Sequence, residues 1–275
     1  MIPDFLRTFP VARHEFDGTS SEVPVPVEEP LELQLRYPGD PPSTLVVLMR
    51  TPGDDLDFVM GFLLSERIIE APADLVELRE AGIGRNTHNI VLATLSPDRA
   101  FEPRSADRFE ITSAACGVCG TTAIDSTTGH LVSLDPTSPE IGASAVERAF
   151  DTLEGAPLVT TTGGVHGAAV LELDGEGVVL REDGNQHFAV DKALGGALRQ
   201  GLDPAASLVG VTGRASFEIL EKVLRFGAPG LVFDSTPTSL AVRMAAEHGL
   251  TLIGVQDGRA GVYAGRSRVR QTVSR

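Results

Sequence analysis

Cys116 and Cys119 are the only cysteines in the 275-residue chain, and they stand three apart in Ile111-Thr-Ser-Ala-Ala-Cys-Gly-Val-Cys-Gly-Thr-Thr122. Gly117 and Gly120 remove side chains beside each sulfur, so the backbone can turn tightly and a bulky partner can approach. The small and hydroxylated flanks predict an exposed loop. A structural zinc site needs four ligands, and neither a second cysteine pair nor a His-x-x-His pairing exists among His14, His88, His130, His166, His187 and His248. A thioredoxin-type redox pair opens a helix, and a glycine after each cysteine is a poor helix start. A structural disulfide would close little chain and be labile. What remains is a thiolate that accepts a sulfur atom as a persulfide and passes it on. Two incidental loop thiols are the bland alternative.

The elements that must position such a loop are legible on either side of it. From Val23 the chain reads β-rich. Glu32–Tyr37 alternates polar and apolar residues, Pro38–Pro42 is a turn, and Ser43–Met49 returns. Thr51-Pro-Gly-Asp-Asp55 predicts a helix start capped by Thr51, with Leu56, Val59, Met60, Leu63 and Leu64 at helical spacing. Further strands are expected at Leu75–Leu78 and Asn89–Leu95. After the cysteines the texture changes. Ser144–Thr152 reads as a helix, Pro157–Thr161 as a strand, Val165–Leu173 as an apolar stretch, Val178–Glu182 as a strand and Val190–Gln200 as a helix. Strand and helix then alternate through Leu208–Thr212, Ala215–Arg225, Gly230–Phe233, Thr238–Glu247 and Leu250–Val255, the pattern of a partly parallel α/β layer. The expected organisation is an N-terminal arm (1–22), a β-rich domain (23–111), a cysteine-bearing mobile loop and linker (112–140), an α/β domain (141–264) and a basic tail (265–275).

A net charge of −15 argues against a nucleic-acid-binding surface. No uninterrupted apolar run approaches membrane-spanning length, and the opening residues lack the apolar core of a secretory signal. With two reduced thiols, the expected compartment is the cytoplasm.

In an open α/β sheet, ligands sit beyond the carboxyl ends of the strands, where turns meet helix N-termini. Three turns qualify here: Thr160–Gly167, with Thr162, Gly163, Gly164 and His166; Val211–Phe217, with Thr212, Gly213, Arg214 and Ser216; and Asp234–Ser239, with Ser235, Thr238 and Ser239. Together they suit a phosphorylated, nucleotide-like ligand. Ordinary helix capping explains any one of them equally well. His166 and His187 have bland readings as core or turn residues, and Lys192 beside Asp191 as a solvated helix face.

Taken together, these stretches resemble the FdhD family of formate dehydrogenase accessory sulfurtransferases, from about Val25 to Tyr263. The matching pieces are Val27-Glu-Glu-Pro-Leu31, Met49-Arg-Thr-Pro-Gly-Asp-Asp55, Gly61-Phe-Leu-Leu-Ser-Glu66 and Cys116-Gly-Val-Cys-Gly120. They continue with Thr162-Gly-Gly-Val-His166, Glu182-Asp183 with His187 and Ala189-Val-Asp-Lys192, Thr212-Gly-Arg-Ala-Ser-Phe-Glu218 and Pro237-Thr-Ser-Leu-Ala241. The resemblance implies an α/β (overall α+β) fold with a cytidine-deaminase-like C-terminal domain, in a homodimer. It implies a sulfurtransferase that takes sulfur from a cysteine desulfurase to the molybdenum or tungsten bis-guanine-dinucleotide cofactor destined for formate dehydrogenase. Cys116 is then the persulfide carrier and Cys119 its assistant. The cofactor would be held by the three turns with His187 and Lys192, and by Val255, Gln256, Asp257, Gly258, Arg259 and Ala260 near the end. GDP-like nucleotides would mimic its guanine ends, and no residue is expected to bind metal directly.

Two departures stand out. Gln186 occupies a position where the family pattern has arginine, with Phe188 in place of asparagine, and Gln256 also replaces an arginine. Losing two guanidinium groups removes charge-assisted phosphate contacts, so Gln186→Arg is expected to tighten GDP binding unless Gln186 points away from the ligand. A non-catalytic cofactor-binding chaperone is the alternative function. A zinc deaminase is excluded, because that chemistry needs His-x-Glu and Pro-Cys-x-x-Cys, whereas no His-x-Glu occurs and Ala115 precedes Cys116.

Overall fold

The computed structural model describes residues 7–82, 88–99, 131–135, 137 and 139–270. Cys116 and Cys119, and most of the segment expected to be a loop and linker, lie outside the described residues.

The first sheet has the order β4-β3-β6-β5, from β3 (Glu29–Arg36), β4 (Ser43–Arg50), β5 (Leu75–Glu80) and β6 (Ile90–Leu95). The alternation in β3 buries Leu31, Leu33 and Leu35 and leaves Glu32, Gln34 and Arg36 toward solvent, the expected period for a sheet covered on one face. Helix α1 (Asp55–Ser65) follows β4. Thr51 is not its cap: Asp54 holds that position in a left-handed conformation with φ 56° and makes no side-chain cap bond. The Thr51 hydroxyl instead accepts from the Gly184 amide at 3.0 Å.

The second sheet has six strands in the order β12-β11-β10-β9-β7-β8: β7 (His166–Glu172), β8 (Val178–Asp183), β9 (Ser207–Val211), β10 (Gly230–Phe233), β11 (Thr251–Gln256) and β12 (Arg259–Ala264). β9, β10 and β11 are parallel, and β7 is antiparallel to β8 and β9. The central strands are buried on both faces, so their sequences read as short apolar runs. One face packs Ala169, Leu171, Leu208, Val232 and Ile253 against Ala145, Ala149 and Leu153 of α2 (Ala143–Glu154). The other packs Ala168, Val170, Val209, Val211, Leu231 and Phe233 against α4 (Gln186–Gln200), α5 (Phe217–Phe226) and α6 (Ser239–His248). The result is an α+β protein with a layered C-terminal half. Its first sheet and α1 share the same core as α4. The α1–α4 crossing is so close that a Cβ on Gly61 or Gly195 would collide with the backbone of the opposite helix.

Three local expectations are corrected. Residues 157–161 form a helix, α3 (Pro157–Thr162), not a strand: Pro157 sits in its first turn and the Glu182 carboxylate accepts from the Leu158 and Val159 amides at 2.6 and 2.9 Å. Part of the expected arm is a hairpin, β1 (Thr8–His14) paired antiparallel with β2 (Ser20–Pro26), because Asp17 and Gly18 (φ 87°) form a tight turn between them. The basic tail expected at 265–275 is held to the body of the protein through its described residues, 265–270. The Arg268 guanidinium donates to the Gly249 carbonyl, and Val269 bridges to Ile141. Among the described residues no helix is long and apolar enough to cross a membrane.

Candidate functional site

Strand direction gathers the candidate residues. β8, β9, β10 and β11 all end at the same edge, and β7 begins there: His166 pairs with Asp183, Ala168 with Val211, and Phe233 with both Val211 and Gly254. α4, α5 and α6 therefore start along this edge. Asn185 accepts from the His187 amide at 2.9 Å, Ser216 from Ile219 at 3.4 Å and Thr238 from Ala241 at 3.2 Å. Each helix is thus capped by its own side chain, as Asn, Ser and Thr do at that position. These hydrogen bonds already occupy a donor at each helix N-terminus.

The turn after β9 is the most elaborated part of the edge. Gly213 has φ 86°, a left-handed conformation that favours glycine, and its amide donates to Asp234 Oδ1 at 2.5 Å. Gln186 Nε2 donates to the carbonyls of Thr212 at 2.8 Å and Arg214 at 3.1 Å. Thr212 Oγ1 accepts from the Gly167 amide at 2.9 Å and stands 3.5 Å from His166 Nδ1. His187 Nε2 lies 3.7 Å from Glu218 Oε2, yet the imidazole is neutral at neutral pH: burial pulls its pKa down to about 4, and the charges of Lys222 and His166 push the same way. His166, His187, Thr212, Gly213, Arg214 and Ser216 are therefore brought together, with Ser235, Thr238 and Ser239 at the neighbouring strand end.

The other predicted residues stand differently. Lys192 is neither a solvated face nor a surface ligand. It is fully buried, and its ammonium is held by Asp183 at 2.7 Å and by the carbonyls of Thr51 at 2.6 Å and Glu182 at 3.3 Å. Its contribution to a site is through position, since Asp183 also accepts from the Thr51 and Asn185 amides just before α4. Thr162, Gly163 and Gly164 close the C-terminus of α3: Gly163 has φ 62°, and the Thr162 hydroxyl donates to the Leu158 carbonyl at 2.7 Å. A helix C-terminus presents carbonyls, which disfavours a phosphate there. The Val255 side chain belongs to the core. Gln256 pairs with Arg259 across a two-residue turn, Asp257-Gly258, with φ 51° and 69°. Gln256, Asp257 and Arg259 line an open depression of about 530 Å³ with Gly254, Ala260, Gly261 and Tyr263.

Sequence reasoning missed Asp234 and Asp183 as organisers. Asp234 directly follows β10 and heads a Ser-Thr-Pro turn, a local signal; the Asp183–Lys192 pairing has no local signal, because it depends on the strand-to-helix geometry. Exposed Arg214 and Arg259 place guanidinium-bearing residues, and Ser239 a hydroxyl, along the same edge.

An α+β architecture with a layered C-terminal half and a ligand-type strand edge defines the class. Residues 26–270 match the model of the FdhD/NarQ family. The chain is 42% identical to the sulfur carrier protein FdhD of Nocardia farcinica, covering 89% of this chain and 87% of that one. It is 39% identical to the sulfur carrier protein FdhD of Streptomyces coelicolor, over 92% of each. A crystal structure from Desulfotalea psychrophila, named as a formate dehydrogenase accessory protein, superposes with a TM-score of 0.72 at 20% identity, over 96% of this chain and 98% of that one, a likeness of fold. This chain belongs to the FdhD/NarQ family.

Proposed function

We propose that the protein carries sulfur as a persulfide on Cys116, from a cysteine desulfurase to the molybdenum or tungsten bis-guanine-dinucleotide cofactor of formate dehydrogenase. Its kinship with sulfur carrier proteins supports the first half of this reading. The observation that supports the second is the strand edge, where the Thr212–Arg214 turn, the hydroxyl turn at Ser235–Ser239 and the exposed residues Arg214 and Arg259 stand along the same end of the sheet.

The chemistry has two steps. The Cys116 thiolate attacks the sulfane sulfur of the desulfurase persulfide. A new S–S bond forms on Cys116, and the desulfurase cysteine leaves as thiolate. For release, the Cys119 thiolate attacks the inner sulfur of Cys116, and the outer sulfur departs as hydrosulfide toward the cofactor. A Cys116–Cys119 disulfide remains, which a dithiol reductant returns to two thiols. The cofactor is cargo in this scheme; the protein's residues bind and orient its nucleotide ends. A homodimer in the cytoplasm belongs to the same reading and is checked by light scattering on the purified protein.

Cells deprived of their own sulfur carrier test the proposal through formate dehydrogenase activity. The wild-type chain should restore it, and Cys116→Ala should not. Restoration by both would favour a chaperone that binds cofactor without moving sulfur, and restoration by neither would point to another client.

A further inference from the structure

We infer that Gln186 is a positioning residue that sets the Thr212–Arg214 turn, and that residue 186 serves the site through hydrogen-bond donors rather than through charge. The inference rests on the nucleotide-edge reading above. Gln186 opens α4, and its single amide nitrogen donates to two carbonyls that flank Gly213, Thr212 at 2.8 Å and Arg214 at 3.1 Å. Both hydrogens of the amide are used. The turn is fastened on its other side by Asp234, which takes the Gly213 amide. Gln186 also lies directly over the glycine: a Cβ at residue 213 would meet Gln186 Nε2 at 3.2 Å. A glycine turn is conformationally free, and binding through it costs ordering entropy unless something orders it beforehand. Gln186 does so from a helix, and Arg214 leaves the clamped turn with an exposed side chain.

The geometry reverses the expectation for Gln186→Arg. A guanidinium carries five donors and can serve the same two carbonyls. Its charge would then be spent on backbone, not on phosphate. A glutamate at 186 offers only acceptors to two acceptors, and a methionine of similar volume offers nothing.

Calorimetric titration with GDP at low and high salt, together with amide exchange at Gly213, tests this in wild type, Gln186→Arg, Gln186→Glu and Gln186→Met. Gln186→Arg should bind GDP within about twofold of wild type, with an unchanged salt dependence. Gln186→Glu and Gln186→Met should bind about tenfold more weakly, as expected for two lost hydrogen bonds, and exchange the Gly213 amide faster at similar melting temperatures. Tighter, salt-sensitive binding by Gln186→Arg would make residue 186 a phosphate contact and overturn the inference, as would wild-type affinity in Gln186→Met. If wild type itself does not bind GDP, the nucleotide reading of the edge fails and the positioning role with it, while the exchange data still report whether the clamp exists.

Discussion

Burial lowers the pKa of His187 to about 4 from an ordinary 6.5, so the folded protein resists a proton that the unfolded chain accepts. Between these two values the unfolded state binds more protons, and stability falls as the pH drops through that window. The loss reaches about 3 kcal/mol once the pH is below both values. Urea denaturation at neutral pH and near pH 4 should show it, and His187→Asn should flatten that part of the profile; an unchanged slope in the variant would assign the effect to other groups. Lys192 makes a second residue-scale case. Removing its ammonium by Lys192→Met leaves Asp183 buried without its cation, a change expected to cost about 3–5 kcal/mol. A loss below about 1 kcal/mol in the same denaturation assay would mean that Asp183 takes up a proton or is reached by water. Both residues were visible in the sequence as candidates. Their environments were not, because His187 is buried beside Glu218 and Lys222 of α5, and Lys192 is enclosed by the Thr51 turn from a distant part of the chain.

Periodic elements were legible, and those decided by remote partners were not. β3, β4, α1 and the alternation from β9 to β11 follow directly from patterns of two and near four. α3 reads as a strand because three consecutive threonines favour β structure, yet Glu182 caps its first turn from a different element and makes it helical. The β1–β2 hairpin is largely exposed, and prolines interrupt the apolar alternation of its Phe9–Val25 and Val11–Val23 pairs, so its Asp17-Gly18 turn is the clearer mark. The α1–α4 crossing carries a prediction of its own. Gly195 abuts the Asp57 carbonyl and the Gly61 amide, both backbone, so the neighbours of a new methyl cannot swing aside. Gly195→Ala should lose at least about 2 kcal/mol by chemical denaturation. Wild-type stability would show that the helices can separate freely.

Across the whole molecule, the two sheets are bound into one unit by contacts that local sequence patterns do not reveal. Arg181 on β8 holds Asp57 of α1 at 2.6 Å, and Arg199 of α4 also pairs with Asp57. Ser65 at the end of α1 donates to the fully buried Asp191, which Lys222 of α5 holds at 2.7 Å, and Arg67 reaches Glu221. The division into a β-rich domain (23–111) and an α/β domain (141–264) follows the change in texture along the chain, which carries no information on such pairings. Calorimetry should give a single cooperative unfolding transition, and two resolved transitions would contradict the interlocked arrangement. The candidate edge was legible as turns after strands, and its internal fastening by Gln186 and Asp234 was not. The central claim, that this chain moves sulfur, is tested most directly by intact-mass measurement after incubation with a cysteine desulfurase and cysteine. Wild type should gain the mass of one sulfur atom, removable by a thiol reductant, and Cys116→Ala should gain none; equal gains in both, or none in wild type, would contradict the account.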